Sequence, residues 1–218
     1  MFKDLMERRK RSALLYRAFE DTDEMLQREE RMFRVACDFL FLNREPELDV
    51  VHQDEDINTK ARIIRMLVLE HLALNPTQDL PASLVLISIV HDLERIGDYS
   101  KGLLEVGKVY AEKSRGGKYA QACQEMREMI APLFGMTRRA FAKSDLEVAR
   151  VVMERHREIK ARSDQIVKAL SEDREIKANE AVVYTLGARG LRRISAHLSN
   201  ITSSVTNPFD KIGFDMDR

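Results

Sequence analysis

Residues 90–99 read VHDLERIGDY, and residues 188–197, near the other end of the chain, read ARGLRRISAH. Set one above the other, the two stretches share Leu, Arg and Ile at the same spacing: Leu93, Arg95 and Ile96 against Leu191, Arg193 and Ile194. They differ where chemistry could sit, since Glu94 and Asp98 become Arg192 and Ala196. Leu and Ile three positions apart lie on one helix face. The shared part of the phrase is therefore a packing face, and the exchanged part is a charge pattern. A packing face written twice is the mark of an internal duplication.

Outward from these stretches a helical period runs through nearly the whole chain. Leu14, Ala18, Met25, Met32, Val35, Ala36, Phe39, Leu40 and Leu42 recur at three- and four-residue steps, and Asn43 to Pro46 breaks them. A second helix is predicted over about 47–74. NPTQDLP at 75–81 is a turn, and a third helix follows from about Pro81 to about Ser114, because Pro is tolerated in a first helical turn. Arg115-Gly116-Gly117 marks the midpoint, after which the plan repeats. Helices are predicted at about 118–143, 145–171 and 175–205, with Pro132 and Gly135 as kink points and Ser144 or Asp145 as an N-cap. VVHQDEDIN at 50–58 and VVMERHREIK at 151–160 also echo each other. Short turns make successive helices antiparallel neighbours. The expected architecture is all-α: two tandem three-helix bundles, six antiparallel helices, at 1–114 and 115–206, with an irregular tail at 207–218.

Composition bounds what such a chain does. The 218 residues suffice for a sizeable core. Thirty-six basic residues balance thirty-six acidic ones, whereas a nucleic-acid binder usually carries a basic excess, so no nucleic acid is expected. Cys37 and Cys123 lack CxxC spacing and read as small buried hydrophobes of a reducing compartment. The N-terminus has no secretory h-region, and the longest apolar run, LVLISIV at 84–90, is far short of the roughly 20 residues of a spanning helix. A cytoplasmic location is expected, with any membrane association made through a partner.

One constellation could carry chemistry. Glu94 and Asp98 are four apart, one turn apart on one face, and Asp54 and Asn58 have the same spacing on the second helix. Two antiparallel helices that each present such a pair can bring four oxygen-bearing side chains together. A cation relieves the repulsion between like carboxylates, and oxygen donors favour Mg, Ca, Mn or iron. His91 and Asp92 flank the patch as outer partners. The competing reading is a solvated helix face: Arg95 can neutralise a neighbour without any ion, and Asp54-Glu55-Asp56 also reads as a surface charge run. His52, His71 and His91 read as packed or solvent histidines. No Glu-x-x-His pair, phosphate-binding glycine loop or nucleophile elbow occurs, so no enzymatic activity is expected.

LEHLALNPTQDLP at 69–81, followed by VLISIVHDLERIGDYSKGL at 85–103, resembles the PhoU family of phosphate-uptake regulators. The resemblance covers roughly residues 10–205. Its specific part is Asp92-Leu93-Glu94-Arg95-Ile96-Gly97-Asp98, and ARGLRRISAHLSNI at 188–201 resembles a weaker second copy. It implies two tandem three-helix bundles and a non-enzymatic role in controlling phosphate transport, through a phosphate transporter or a phosphate-sensing signalling protein. It also implies self-association as a homo-oligomer. It further implies divalent or iron ions on paired E(D)xxxD motifs, which fall here on Glu94 with Asp98 and on Asp54 with Asn58, where Asn replaces the expected acid. In the second repeat the matching positions are Arg192 and Ala196, with His156 and Lys160 on the fifth helix. These cannot form a carboxylate site, so a metal is expected in the first repeat at most, with Arg192 supplying a fixed positive charge in the second. The rival reading is a metal-free helical adaptor unrelated to phosphate.

Overall fold

A computed structural model describes residues 13–110 and 116–213. Residues 1–12, 111–115 with the break at Arg115, and the end of the tail at 214–218 lie outside them. Six long helices make up the described residues: α1 Ala13–Leu42, α2 Val50–Leu74, α3 Leu80–Val109, α4 Lys118–Lys143, α5 Leu146–Glu172 and α6 Ala178–Thr206, followed by a 3-10 turn at Phe209–Lys211. The architecture is the expected pair of three-helix bundles, α1–α3 and α4–α6.

The helix boundaries follow from local chemistry. α2 begins at Val50 and not at 47, because the Asp49 carboxylate accepts from the Val51 and His52 N–H groups, 3.1 Å each, and so fixes the N-cap. Pro81 lies in the first turn of α3, as expected. The turn before it is tied by His71, whose Nε2 lies 2.9 Å from the Gln78 carbonyl; that oxygen only accepts, so Nε2 carries the proton. Ser144 takes a left-handed conformation that ends α4, and Asp145, not Ser144, caps α5 by accepting from the Val148 N–H at 3.1 Å. α6 starts at Ala178, later than the period suggested. Asp173 accepts from the Glu175 N–H at 3.1 Å, an Asx turn that competes with helix. α4 runs unbroken through Pro132. The tail folds back, with the Gly213 N–H donating to Ser203 Oγ at 2.7 Å.

The two bundles share one continuous apolar core along two contacts, α1 on α4 and α3 on α6. On the first, Phe33 packs on Phe134 with ring centroids 5.4 Å apart, a pair worth about 0.5–1.5 kcal/mol beyond its area. Arg138 grips Asp23 with two bonds of 2.7 and 2.8 Å and holds that carboxyl below its ordinary range. On the second, a Cβ added to Gly190 would lie 2.8 Å from Leu103 Cδ2, so glycine permits the close approach of α6 to α3. Cys37 and Cys123 are free and buried; burial pushes both thiols up, Cys123 to about 12. Glu29 breaks the pattern. It is fully buried in the stripe of Met25 and Met32, neither of its oxygens has a hydrogen-bond partner among the described residues, and burial pushes its carboxyl well above the usual range.

Candidate functional site

The residues singled out by the duplicated phrase lie along the seam between the second and third helices of each bundle. In the first bundle Glu94, on α3, accepts from Arg65 Nη2, on α2, at 2.9 Å. Asp98 accepts from Arg95 at 3.1 Å, one turn back on its own helix. Asp54 is only 2% exposed, and its Oδ2 takes the Lys101 ammonium, which also lies 3.9 Å from Asp98. The Asn58 amide reaches the same Asp54 oxygen at 3.5 Å. Gly97 makes room for this arrangement, since a Cβ there would lie 3.0 Å from Asp54 Oδ1. The hydrogen bond to Asp54 raises the Lys101 pKa above its ordinary value, against the opposing effect of burial. Within the expected acidic run, then, Asp54 is buried while Glu55 points to solvent.

At the position of Glu94 the second bundle carries a bridge of reversed polarity. Arg192, at the position of Glu94, donates to Asp164 on α5 at 2.9 Å, and Arg189 donates to the same oxygen at 2.6 Å. The Asp164 carboxyl is lowered by the Arg189 hydrogen bond first, then by the charges of Arg192, Arg189 and Lys160. His156 Nδ1 lies 2.9 Å from Ser195 Oγ, and Ala196 offers no polar group. In each bundle ion pairs join second helix to third: Arg65 to Glu94 and Asp54 to Lys101 in the first, Asp164 to both Arg189 and Arg192 in the second.

Asp92 and His91 do not join the patch. Asp92 is two positions from Glu94, about 200° around the helix, and faces α6. There its Oδ1 lies 2.8 Å from His197 Nδ1 and accepts from Asn200 at 2.9 Å, while Tyr99 stacks on the His197 ring at 5.6 Å. Asp92 thus ties one repeat to the other. His91 is exposed. The sequence reading missed Arg65, Lys101, Asp164 and His197. Only Lys101, three residues after Asp98, lay within reach of a spacing argument.

The donor set does not fit a multi-carboxylate metal centre. Three carboxylates, Asp54, Glu94 and Asp98, already face three cations of the chain, Lys101, Arg65 and Arg95. No group of three or more His, Cys, Asp or Glu side chains among the described residues is placed to hold a metal. Of the four expected ligands, the oxygens left buried and unpartnered are Asp54 Oδ1 and Asn58 Oδ1, one of them only an amide. What the seam does is join helices: a buried carboxylate neutralised by a fixed ammonium, flanked by half-exposed ion pairs.

Known proteins of the same shape give this geometry a context. A family model described as the PhoU domain matches the chain twice, over residues 22–106 and 123–205. The phosphate-specific transport system accessory protein PhoU homolog of Synechocystis sp. is 26% identical over 204 residues, 88% of each chain. The crystal structure of PhoU from Pseudomonas aeruginosa is similar with a TM-score of 0.79 at 21% identity, over 88% of this chain and 95% of that one. The phosphate transport system regulatory protein PhoU from Streptococcus pneumoniae is similar with a TM-score of 0.75 at 16% identity, over 88% and 93%. At these identities the two crystal structures speak for the fold.

Proposed function

Because the chain belongs to the PhoU domain family, we propose that it is a non-enzymatic regulator of phosphate uptake that binds a phosphate transporter or its phosphate-sensing signalling partner. The observation that carries this is the double match of the family model, one copy on each three-helix bundle. The Synechocystis relative is named an accessory protein of a phosphate-specific transport system, and the pneumococcal neighbour a regulatory protein of one. Among the described residues no helix is long and apolar enough to cross a membrane. In this reading the chain reaches its transporter by docking, from the cytoplasm and as a homo-oligomer. A docked regulator changes transport only if it binds one conformation of the partner more tightly than another; a tenfold difference corresponds to about 1.4 kcal/mol. The fully balanced charge, thirty-six against thirty-six, supports a protein partner over nucleic acid.

The test is cross-linking of the tagged full chain in phosphate-replete cells, followed by detergent extraction, affinity purification and identification of what is held. The expected catch is a phosphate transporter subunit or a phosphate-sensing kinase. A reproducible catch with neither would overturn the reading and leave a helical adaptor with no link to phosphate.

A further inference from the structure

We propose that covalent cations replace metal ions along both helix seams of this chain, so that it folds and acts with no bound metal. In the first bundle Asp54 is almost wholly buried, and a buried carboxylate needs a positive partner. That partner is Lys101, delivered from α3 one turn from Asp98 and close enough to act on both acids. Glu94 and Asp98, the pair best suited to a cation by spacing, are taken by Arg65 and Arg95. The three acids of the expected site are thus each matched by a base of the chain, with Glu105 a further negative charge near Lys101. A divalent ion added there would meet three fixed positive charges and would have to displace one.

The second bundle carries the same substitution further. The acid of the third helix has itself become a cation, Arg192, and the facing helix supplies the anion, Asp164, which Arg189 also holds. The reversed bridge joins the same two helices without a carboxylate pair. Both seams therefore obtain from side chains what a metal would otherwise give, a positive charge between two helices. The cost is different: a tethered ammonium or guanidinium cannot be removed by a chelator or exchanged when the supply of an ion changes. The bridge is permanent, and metal availability does not act on this protein through it.

The experiment uses the full-length chain, purified without chelator, and does not depend on the phosphate reading. Metal content is measured by plasma mass spectrometry, and Tm is measured with Mn(II), with Fe(II) under anaerobic conditions, and with EDTA. The wild type is expected to carry far less than one metal per chain and to keep the same Tm in all three. Lys101→Ala uncovers Asp54 beside Asp98: its Tm is expected to fall, and Mn(II) at about one hundred times its Kd is expected to raise it by roughly 5–10 °C. A stoichiometric metal in the wild type, or a wild-type Tm that rises with Mn(II) and falls with EDTA, overturns the proposal. So does a folded Lys101→Ala that Mn(II) leaves unmoved. If Lys101→Ala does not fold, the wild-type measurements decide alone. A metal found in the wild type would leave the phosphate reading standing, and a chain with no phosphate partner would leave this one standing.

Discussion

Lys101 and Glu29 are two residues whose charge states bear on this fold, and they act in opposite directions. Removing the Lys101 ammonium leaves Asp54 buried and uncompensated, a loss of about 3–5 kcal/mol. The folded state holds the Lys101 proton more tightly than a free lysine, which titrates at 10.5, does. Its stabilisation is therefore complete below about pH 10.5 and is lost as pH rises through the folded value. Alkaline unfolding of the wild type should accordingly be steeper than that of Lys101→Ala, as followed by circular dichroism. Glu29 has no hydrogen-bond partner for either oxygen among the described residues and holds its proton well above 4.5. Above 4.5 the unfolded chain has released a proton that the native state keeps, so native stability falls as pH rises from there toward the folded value. Glu29→Met fills the same core stripe without a polar group. It should raise stability at neutral pH by about 1–3 kcal/mol, and the gain should shrink as pH falls toward 4.5. A lower Tm for Glu29→Met at neutral pH would mean that the carboxyl has a partner in solution.

The helices themselves were largely legible in the sequence, and their partnerships were not. Apolar residues at three- and four-residue steps located all six elements, because burial of one face is what makes a helix in a bundle. Boundaries moved where a side chain competed with the period: Asp49 shortened the start of α2, and the Asx turn of Asp173 delayed α6. The charge exchange at 94 and 192 was visible, but its meaning lies on other helices. Arg65 is twenty-nine residues from Glu94 and Asp164 twenty-eight from Arg192, and no spacing rule reaches that far. The acidic run at 54–56 concealed a buried member for the same reason: which side of α2 meets α3 is a property of the pair. A direct test of the reversed bridge is to rebuild one repeat with the polarity of the other. Glu94→Arg alone places two guanidiniums together and should lower Tm, by no more than about 1 kcal/mol in stability for groups this exposed. Adding Arg65→Glu should restore it. If the double variant is no more stable than the sum of its single changes, the bridge contributes nothing to the seam.

At the scale of the molecule, the duplicated phrase is two copies of one third helix that now pack against each other. Leu93, Ile96, Leu191 and Ile194 are all fully buried, which is the part the duplication kept. The part it changed serves two ends: Glu94 and Arg192 hold each bundle together, while Asp92 and His197 join the bundles across α3 and α6. The bundles share a core along α1–α4 and α3–α6, so the whole chain is the unit that a partner meets. On the proposed reading, this unit regulates phosphate transport. The most direct measurement is the initial rate of radiolabelled phosphate uptake in phosphate-replete cells with and without the gene, and again with the gene restored. Loss of the chain is expected to change the uptake rate, and restoration to return it to the original value. Identical uptake in all three, at both high and low external phosphate, would contradict that reading.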